Sequence, residues 1–184
     1  PWFSSYSYGF RPKRNTHQAL GKCRDYITEG YVYAVDIDLE RFFDTVNHSK
    51  LIEVLSRKIK DGRVISLIHK YLNAGVMKEG RYEETLEGVP QGGPLSPVLS
   101  NILLNELDRE LERRGHKFVR YADDMVIFCR SLRSAGRTMQ NIIPFIEGKL
   151  FLKVNRDKSK VAHVREVKFL GYSFYVVKGE GRLR

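Results

Sequence analysis

The sequence predicts an α+β domain built on an antiparallel sheet that carries helices on one face. Three observations lead to this fold class. The segment YVYAVDIDL (31–39) is β-branched and aromatic, as expected of a buried strand. The runs HKFVRYA and MVIFCR flank two adjacent aspartates, Asp123 and Asp124, as the arms of a hairpin. Helical patterns separate these strands, and the order strand, helices, strand, strand, helix, strand is that of a ferredoxin-like split βαβ unit.

The remaining elements follow from periodicity and from residues that start or bend helices. Apolar side chains recur on one helical face in four segments: 48–59, 62–72, 96–114 and about 135–150. The third of these begins with Ser96 and Pro97, which are typical of a helix start. Pro144 predicts a kink in the fourth helix. Two further strands are expected at 159–164 and 168–177.

Charge and cysteine content narrow the class of protein. The 184 residues contain 32 Lys and Arg against 22 Asp and Glu, a formal charge of +10, which favours a polyanionic partner such as nucleic acid. Cys23 and Cys129 lie far apart, which fits a reduced intracellular compartment better than a disulfide framework. No stretch approaches the roughly 18 apolar residues of a membrane span, and no signal leader opens the sequence. We therefore expect a soluble, cytoplasmic protein without a membrane partner.

The paired aspartates indicate a site for divalent cations. If the first strand lies beside the hairpin, its end brings Asp36 or Asp38 next to Asp123 and Asp124. Three carboxylates in one place repel each other unless a cation neutralises them, and Mg²⁺ is the usual partner of oxygen-only ligands. Two such ions could assist nucleotidyl transfer, as in polymerases. The alternative is that the aspartate pair only forms a β-turn, which Asp favours.

Six stretches of the chain match, in order, the motif blocks of one protein family. They are SYGFRPKRNTHQAL (7–20), VDIDLERFFDTVNH (35–48), GVPQGGPLSPVLSNILLNELD (88–108), YADD (121–124), LKVNRDKSKV (152–161) and VKFLGYSF (167–174). With these blocks the chain resembles the reverse transcriptases encoded by bacterial group II introns, the intron-encoded maturases. The resemblance implies an RNA-directed DNA polymerase that copies intron RNA and also assists splicing. A pure splicing cofactor, and a retron or diversity-generating reverse transcriptase, are the alternatives.

The resemblance assigns the metal ligands residue by residue. In the family's first catalytic block the metal-binding aspartate stands five residues before an aromatic ring, which selects Asp38 and leaves Asp36 a structural neighbour. Asp38, Asp123 and Asp124 are then the expected catalytic ligands of two Mg²⁺ ions, for which Mn²⁺ could substitute. The main-chain carbonyl of Leu39 is expected to complete one coordination shell.

Four residues are expected to contact the incoming dNTP. Phe43 corresponds to a ring that excludes a 2′-hydroxyl, while its neighbour Phe42 fills the core; the alternative is that both rings are core. Gln91 and Gly92 lie in the PQGGP loop, which brings backbone close to a ligand, although an ordinary Pro-Gly loop has the same composition. Lys158 corresponds to a lysine that could protonate the leaving pyrophosphate, or it is a solvated surface side chain.

Contacts with the RNA template and DNA primer duplex are expected on both sides of the hairpin. Arg11 lies in a basic stretch of the first block and could track phosphates. Tyr121 precedes the aspartates and could pack against a nucleic-acid strand, or equally against the core. Leu170 and Gly171 belong to the block that resembles a primer grip. The expected partners are group II intron RNA, the template and primer duplex, and dNTPs.

The resemblance also divides the chain into parts of a polymerase. We expect a partial fingers region at 1–30, palm at 31–60, a fingers segment at 61–92, and palm with the YADD hairpin and primer grip at 93–178. A first fingers block and a thumb are expected to be missing from this sequence. On that view the 184 residues fold, bind nucleic acid weakly, and show little processive synthesis.

Overall fold

A computed structural model describes residues 2–78, 81–83, 87–90, 92–177 and 179–183. The helices are α1 (Thr16–Thr28), α2 (Phe42–Thr45), α3 (His48–Ser56), α4 (Gly62–Leu72), α5 (Ser96–Arg113) and α6 (Leu132–Lys149). The strands are β1 (Tyr33–Ile37), β2 (Val76–Lys78), β3 (Arg81–Glu83), β4 (Lys117–Tyr121), β5 (Asp124–Cys129), β6 (Lys160–His163), β7 (Lys168–Phe169), β8 (Tyr172–Val177) and β9 (Glu180–Leu183). No helix in the described ranges is long and apolar enough to cross a membrane.

A four-stranded antiparallel sheet, in the order β4-β5-β1-β6, forms the centre of the fold. This order is that of a ferredoxin-like split βαβ unit, so the predicted α+β palm fold is confirmed. In the pairing of β1 with β5, Ile37 lies opposite Met125 and Asp36 lies opposite Val126. The carboxyl end of β1 therefore meets the β4–β5 turn, because antiparallel neighbours run in opposite directions.

Both faces of this sheet are covered, which makes the prediction of helices on one face incomplete. On one face, Val35 and Ile127 belong to the core formed with α3, α5 and α6. On the other face, Val126 and Phe128 belong to a second core with α1 and the β7–β8 hairpin. The sequence analysis assigned no helix at α1, although Asn15 and Gln18 form a reciprocal capping box at its start.

Two predicted elements differ from those observed. The expected strand 168–177 is wrong, because Leu170 and Gly171 form a turn that divides it into β7 and β8. Both residues have positive φ, +53° and +83°, and such a turn matches the twist of a hairpin. Helix α6 begins at Leu132, earlier than expected, because the Ser131 side chain caps it. It continues through Pro144 to Lys149.

The segment before α1 lies against the outer strand of the sheet. Tyr8 donates its backbone N–H to the Arg120 carbonyl (2.8 Å), and Arg120 donates to the Tyr6 carbonyl (3.0 Å). Gly9 follows directly, and a Cβ placed on it would lie 2.3 Å from the Ala122 backbone nitrogen. The aspartate turn therefore has another stretch of main chain packed against it, at a place where a side chain would not fit.

The close approach at Gly9 predicts a stability difference between two Gly→Ala substitutions. Gly9→Ala should lower the free energy of unfolding by about 1–3 kcal/mol, because backbone must move to admit the methyl group. Gly21→Ala is the matched control, since Gly21 lies inside α1 and a Cβ there meets nothing within 4 Å. The control should gain roughly 0.5–1 kcal/mol from helix propensity. Urea unfolding of both variants measures the contrast, and equal effects would contradict it.

Candidate active site

Asp38 follows β1 directly, and its main chain is held by the segment that precedes β6. The Asp38 carbonyl accepts a hydrogen bond from the Asn155 N–H at 2.9 Å. The Asp38 N–H donates to the Ser159 hydroxyl at 3.0 Å. Two residues further on, Glu40 donates its N–H to the Lys153 carbonyl at 2.8 Å. These three hydrogen bonds hold the main chain of residues 38–40 after β1 has ended.

Asp38 and Asp123 line one open cavity of about 270 Å³. The run 38–43 forms much of its wall, and Asn155 and Lys158 complete it. Leu39, whose carbonyl was a predicted ligand, belongs to this wall, and its side chain is buried. The structure therefore brings together five predicted site residues from distant parts of the sequence: Asp38, Leu39, Phe43, Asp123 and Lys158.

Asp124 lies on the other side of the turn. Alternation along β5 places it on the sheet face of Val126 and Phe128, opposite to Met125. Burial, followed by the charges of Asp36, Asp123 and Asp38, raises the pKa of Asp124 to about 6, although a hydrogen bond from the Leu170 backbone opposes the rise. Asp124 does not line the cavity, although the charges of Asp38 and Asp123 act on its carboxyl group, and the Leu170 backbone donates to it.

The charge of Asp36 affects the electrostatics of this site, although Asp36 was expected to be only a structural neighbour of Asp38. Apart from burial, its charge is the largest contribution that raises the pKa of Asp124. Its own pKa is raised by burial and by Asp38, whereas Lys160 lowers it. Asp36, the neighbour of the predicted ligand Asp38, thus belongs to the same set of interacting carboxylates. Its position on the strand, two residues before Asp38 on the same face, was the available signal.

The oxygen donors at the cavity suit a hard cation, but the described side chains do not form a complete binding site for one. Carboxylate oxygens and a main-chain carbonyl are the ligands that Mg²⁺ accepts. Among the residues that the structure describes, however, no three His, Cys, Asp or Glu side chains are grouped closely enough to hold a metal. Asp38 and Asp123 line one cavity, and their charges also act on Asp124 at the start of β5, so binding of a cation by all three carboxylates stays a prediction.

The two phenylalanines of α2 occupy different environments. Phe42 is 2% exposed and belongs to the core, whereas Phe43 is half-buried and lies on the cavity beside Asp38. Their rings meet edge to face at 5.3 Å between centroids. Phe42 in the core and Phe43 on the cavity are the environments expected from the sequence, and contact of Phe43 with a nucleotide sugar stays a prediction.

The segment before the PQGGP loop packs on α2. Val89 donates its N–H to the Phe43 carbonyl at 2.6 Å, and Gly88 donates to the Val46 carbonyl at 2.7 Å. Gly88 has φ +91°, and a Cβ there would lie 2.9 Å from the Phe43 carbonyl oxygen, so the approach requires glycine. The loop is thereby brought next to Phe43. Gln91, a predicted nucleotide contact, lies outside the described residues, and Gly92 is exposed with φ +78°.

The predicted nucleic-acid contacts lie in mixed environments. Arg11 donates through Nη1 to the carbonyls of Ser7, at 2.8 Å, and Ser4, so part of its guanidinium holds the chain near β4. Tyr121 and Leu170 are partly buried against the core on the α1 face, and Gly171 is exposed. Lys158 is exposed at the rim of the cavity.

Comparison with known proteins identifies the family. The family model described as "Reverse transcriptase (RNA-dependent DNA polymerase)" matches residues 1–174. The chain belongs to this reverse transcriptase family. Protein YkfC of Escherichia coli (strain K12) is 32% identical, over 92% of this chain and 55% of that protein. The group II intron-encoded protein LtrA of Lactococcus lactis subsp. cremoris is 40% identical, over 53% of this chain and 16% of LtrA.

Other matches agree with this family and with its fold. The putative COX1/OXI3 intron 2 protein of Saccharomyces cerevisiae is 31% identical, over 98% of this chain and 28% of that protein. The structure of apo telomerase from Candida tropicalis superposes with a TM-score of 0.72 at 14% identity, over 96% of this chain and 37% of telomerase. The predicted resemblance to intron-encoded reverse transcriptases is thus confirmed. The chain spans about half, or less, of the length of these curated relatives.

Several residues that shape the cavity and the aspartate turn were not predicted. Asn155 and Ser159 hold Asp38, and Arg120 and Asp108 lie buried behind the aspartate turn. Arg120 gave a usable signal, because an arginine inside the buried strand pattern KFVRY requires a partner. Asn155 and Ser159 could not be recognised from the sequence, because polar residues are common in loops.

The raised pKa of Asp124 predicts that stability depends on pH at this residue. A carboxyl group whose folded pKa lies above its unfolded value contributes stability that is lost as the pH rises from about 4 through 6. Asp124→Asn removes the buried charge. Its gain in unfolding free energy over the wild type should therefore be about 1–3 kcal/mol larger at pH 7.5 than at pH 4.5.

Urea unfolding at the two pH values, without divalent cations, measures this difference. Asp25→Asn provides the control, because it removes an exposed carboxylate of α1. The control should show no comparable gain at high pH. A pH-independent effect of Asp124→Asn would contradict the electrostatic account of the turn.

Proposed function

We propose that this protein is an RNA-directed DNA polymerase that extends a DNA primer with dNTPs on an RNA template. The observation that carries the proposal is the shared cavity of Asp38, Asp123 and Phe43 in a chain of the reverse transcriptase family. Asp38 and Asp123 come from segments 85 residues apart and line this cavity together, where β1 ends beside the β4–β5 turn. The charge of +10 suits a nucleic-acid partner.

Asp38 and Asp123, together with the Leu39 carbonyl, are the residues that would hold Mg²⁺ or Mn²⁺ at the cavity. Two such ions would supply activation of the primer hydroxyl and stabilisation of the departing pyrophosphate. Asp124 adds negative charge from behind the turn and completes the catalytic aspartates. Lys158 lines the rim of the cavity and is proposed to give a proton to the pyrophosphate.

The same cavity is proposed to select deoxyribonucleotides. Phe43 lies on its wall with its ring braced edge to face by the buried Phe42. A ring fixed beneath the incoming sugar leaves no room for a 2′-hydroxyl. The Gly88–Val89 backbone is bonded to the Phe43 and Val46 carbonyls, and in the loop that follows Gln91 and Gly92 are the proposed contacts to the base pair being formed.

The template and primer are proposed to cross the aspartate turn. The Leu170–Gly171 turn lies beside Asp124 and suits the role of a primer grip, with Tyr121 and Arg11 on the adjoining surface. We assign palm to 31–60 and 93–178, and fingers to 1–30 and 61–92. Group II intron RNA is the proposed template. Assistance to intron splicing is a second proposed function, favoured by the similarity to LtrA, a group II intron-encoded protein.

Substitution of the cavity carboxylates tests the polymerase proposal. In the full-length protein, Asp38→Asn or Asp123→Asn should lower the rate of nucleotide incorporation by more than about 100-fold, because a ligand to the cation is lost. Affinity for the template and primer duplex should remain within about twofold. Primer extension and binding on the same RNA template measure the two quantities.

The control for these substitutions is Asp25→Asn, which makes the same change on the exposed surface of α1. It should extend primers at the wild-type rate. If Asp38→Asn extends primers as fast as this control, the assignment of the cavity as the polymerase site is wrong.

Phe43→Val tests sugar selection. Removing the ring should raise the ratio of kcat/KM for ribonucleotides over deoxyribonucleotides by roughly tenfold or more, since the clash with the 2′-hydroxyl is relieved. Phe118→Leu is the matched control: it trims a fully buried ring in β4, away from the cavity wall, and should reduce stability without changing the ratio. An unchanged ratio in Phe43→Val would show that this ring serves only packing.

A further inference from the structure

A buried ion pair stands behind the aspartate turn. Arg120 in β4 and Asp108 in α5 are both 0% exposed at their side chains. Arg120 donates from Nε to Asp108 Oδ1 at 2.8 Å and from Nη2 to Asp108 Oδ2 at 2.7 Å. Burying two charges incurs a large desolvation cost, and apolar residues of similar volume are often as stable in such a place. A gain in folding stability therefore explains poorly why the protein has a buried ion pair at this place.

The rest of the guanidinium is bonded to the turn itself. Arg120 Nη1 donates to the Ala122 carbonyl at 2.6 Å and to Asn101 Oδ1 at 2.9 Å. Asn101 in turn donates from Nδ2 to the Gly9 carbonyl at 2.9 Å. Gly9 is the residue whose backbone packs on Ala122. One side chain thus connects α5, the segment before α1 and the residue that precedes Asp123.

Ala122 adopts a conformation that needs such support. Its φ is +58°, in the left-handed region that L-residues with a Cβ adopt only at a cost. The direction of the next two side chains depends on that backbone, since Asp123 lines the cavity and Asp124, which begins β5, does not. If the Ala122 carbonyl were free to rotate, the two carboxylates would lose their fixed directions.

We infer that Arg120 is a positioning residue of the catalytic turn, which it holds through the Ala122 carbonyl, with Asp108 and Asn101 as its anchors on α5. The inference rests on the proposed function, because it gives the turn a catalytic role. Arginine is required here for its planar fork, which reaches both oxygens of Asp108 and two more acceptors at once. A lysine ammonium in the same place cannot make this set of bonds.

The anchors also connect the turn to the loop before α5. Asn101 and Asp108 are seven residues apart, two turns of α5, so that they lie on the same buried face. At the start of the same helix, the Ser96 hydroxyl donates to the Pro90 carbonyl at 2.5 Å. The helix therefore carries the proposed nucleotide loop at one end and the support of the aspartate turn further along. Errors in turn position would separate Asp123 from the nucleotide.

A neutral double variant separates positioning from stability. Arg120→Met with Asp108→Leu removes both charges and fills similar volume, so its urea midpoint should stay close to that of the wild type. The Ala122 carbonyl loses its donor. Amide hydrogen exchange at Ala122–Asp124, measured by NMR on the 184-residue chain, should become about tenfold faster, with exchange in β1 unchanged.

In the full-length protein, the same double variant should lower kcat for incorporation by about 100-fold, while KM for dNTP and affinity for the template and primer change by less than about threefold. Wild-type exchange in the turn together with a wild-type kcat would overturn the inference. The exchange measurement does not require polymerisation, so its result decides the role of Arg120 in the turn even if the proposed polymerase function is wrong.

Two further variants cover the case in which the double variant fails to fold. Arg120→Lys keeps a charge beside Asp108 but cannot also reach Ala122, so turn exchange should rise and kcat should fall. Leu111→Ala, a fully buried change on the same helix, destabilises the protein away from the turn and should leave both quantities unchanged in the folded fraction. If Arg120→Lys behaves like Leu111→Ala, Arg120 is only structural.

Discussion

Repulsion among Asp36, Asp38, Asp123 and Asp124 is the constraint on which this site depends. The antiparallel pairing of β1 with β5 brings them to one edge of the sheet, where burial and mutual charge raise the pKa of Asp124 to about 6. Repulsion among these carboxylates favours separation of the end of β1 from the start of β5 unless other contacts hold the backbone. The same excess of negative charge makes the cavity attractive to a divalent cation, so the feature that strains the fold is also the basis of its proposed chemistry.

The backbone is held from three directions. Main-chain contacts from Gly9 press on the turn, Asn155 and Ser159 fix Asp38, and Arg120 holds the Ala122 carbonyl from within the core. The contacts of Gly9, Asn155 and Ser159 join segments distant in sequence, whereas Arg120 holds a neighbouring carbonyl and is itself anchored to Asp108 on α5. All of these contacts act on the backbone, and the Asp38 and Asp123 side chains line the cavity. This arrangement suits phosphoryl transfer, which depends mainly on position and on charge stabilisation.

Local patterns were sufficient to predict the sheet and the long helices, whereas the residues of the cavity were assigned through the resemblance to intron-encoded reverse transcriptases. The spacing of Asp38 and Phe43 and the turn at Asp123 are encoded within short stretches, and pairing of β1 with the hairpin follows from the order of elements. What could not be predicted depends on tertiary contacts. The packing of α1 on the second face and the bonding partners of Arg120 depend on segments more than ten residues away. The turn toward Asp124 depends on a positive φ at Leu170, which leucine rarely adopts.

The most direct test of the central claim is the position of a cation in crystals of the full-length protein with RNA template, DNA primer and dNTP. Mn²⁺ can be located by its anomalous scattering. The account predicts a peak within about 2.0–2.6 Å of carboxylate oxygens from both Asp38 and Asp123, beside the Leu39 carbonyl. A bound nucleotide whose cations lie elsewhere, with these two carboxylates unoccupied, would contradict the account.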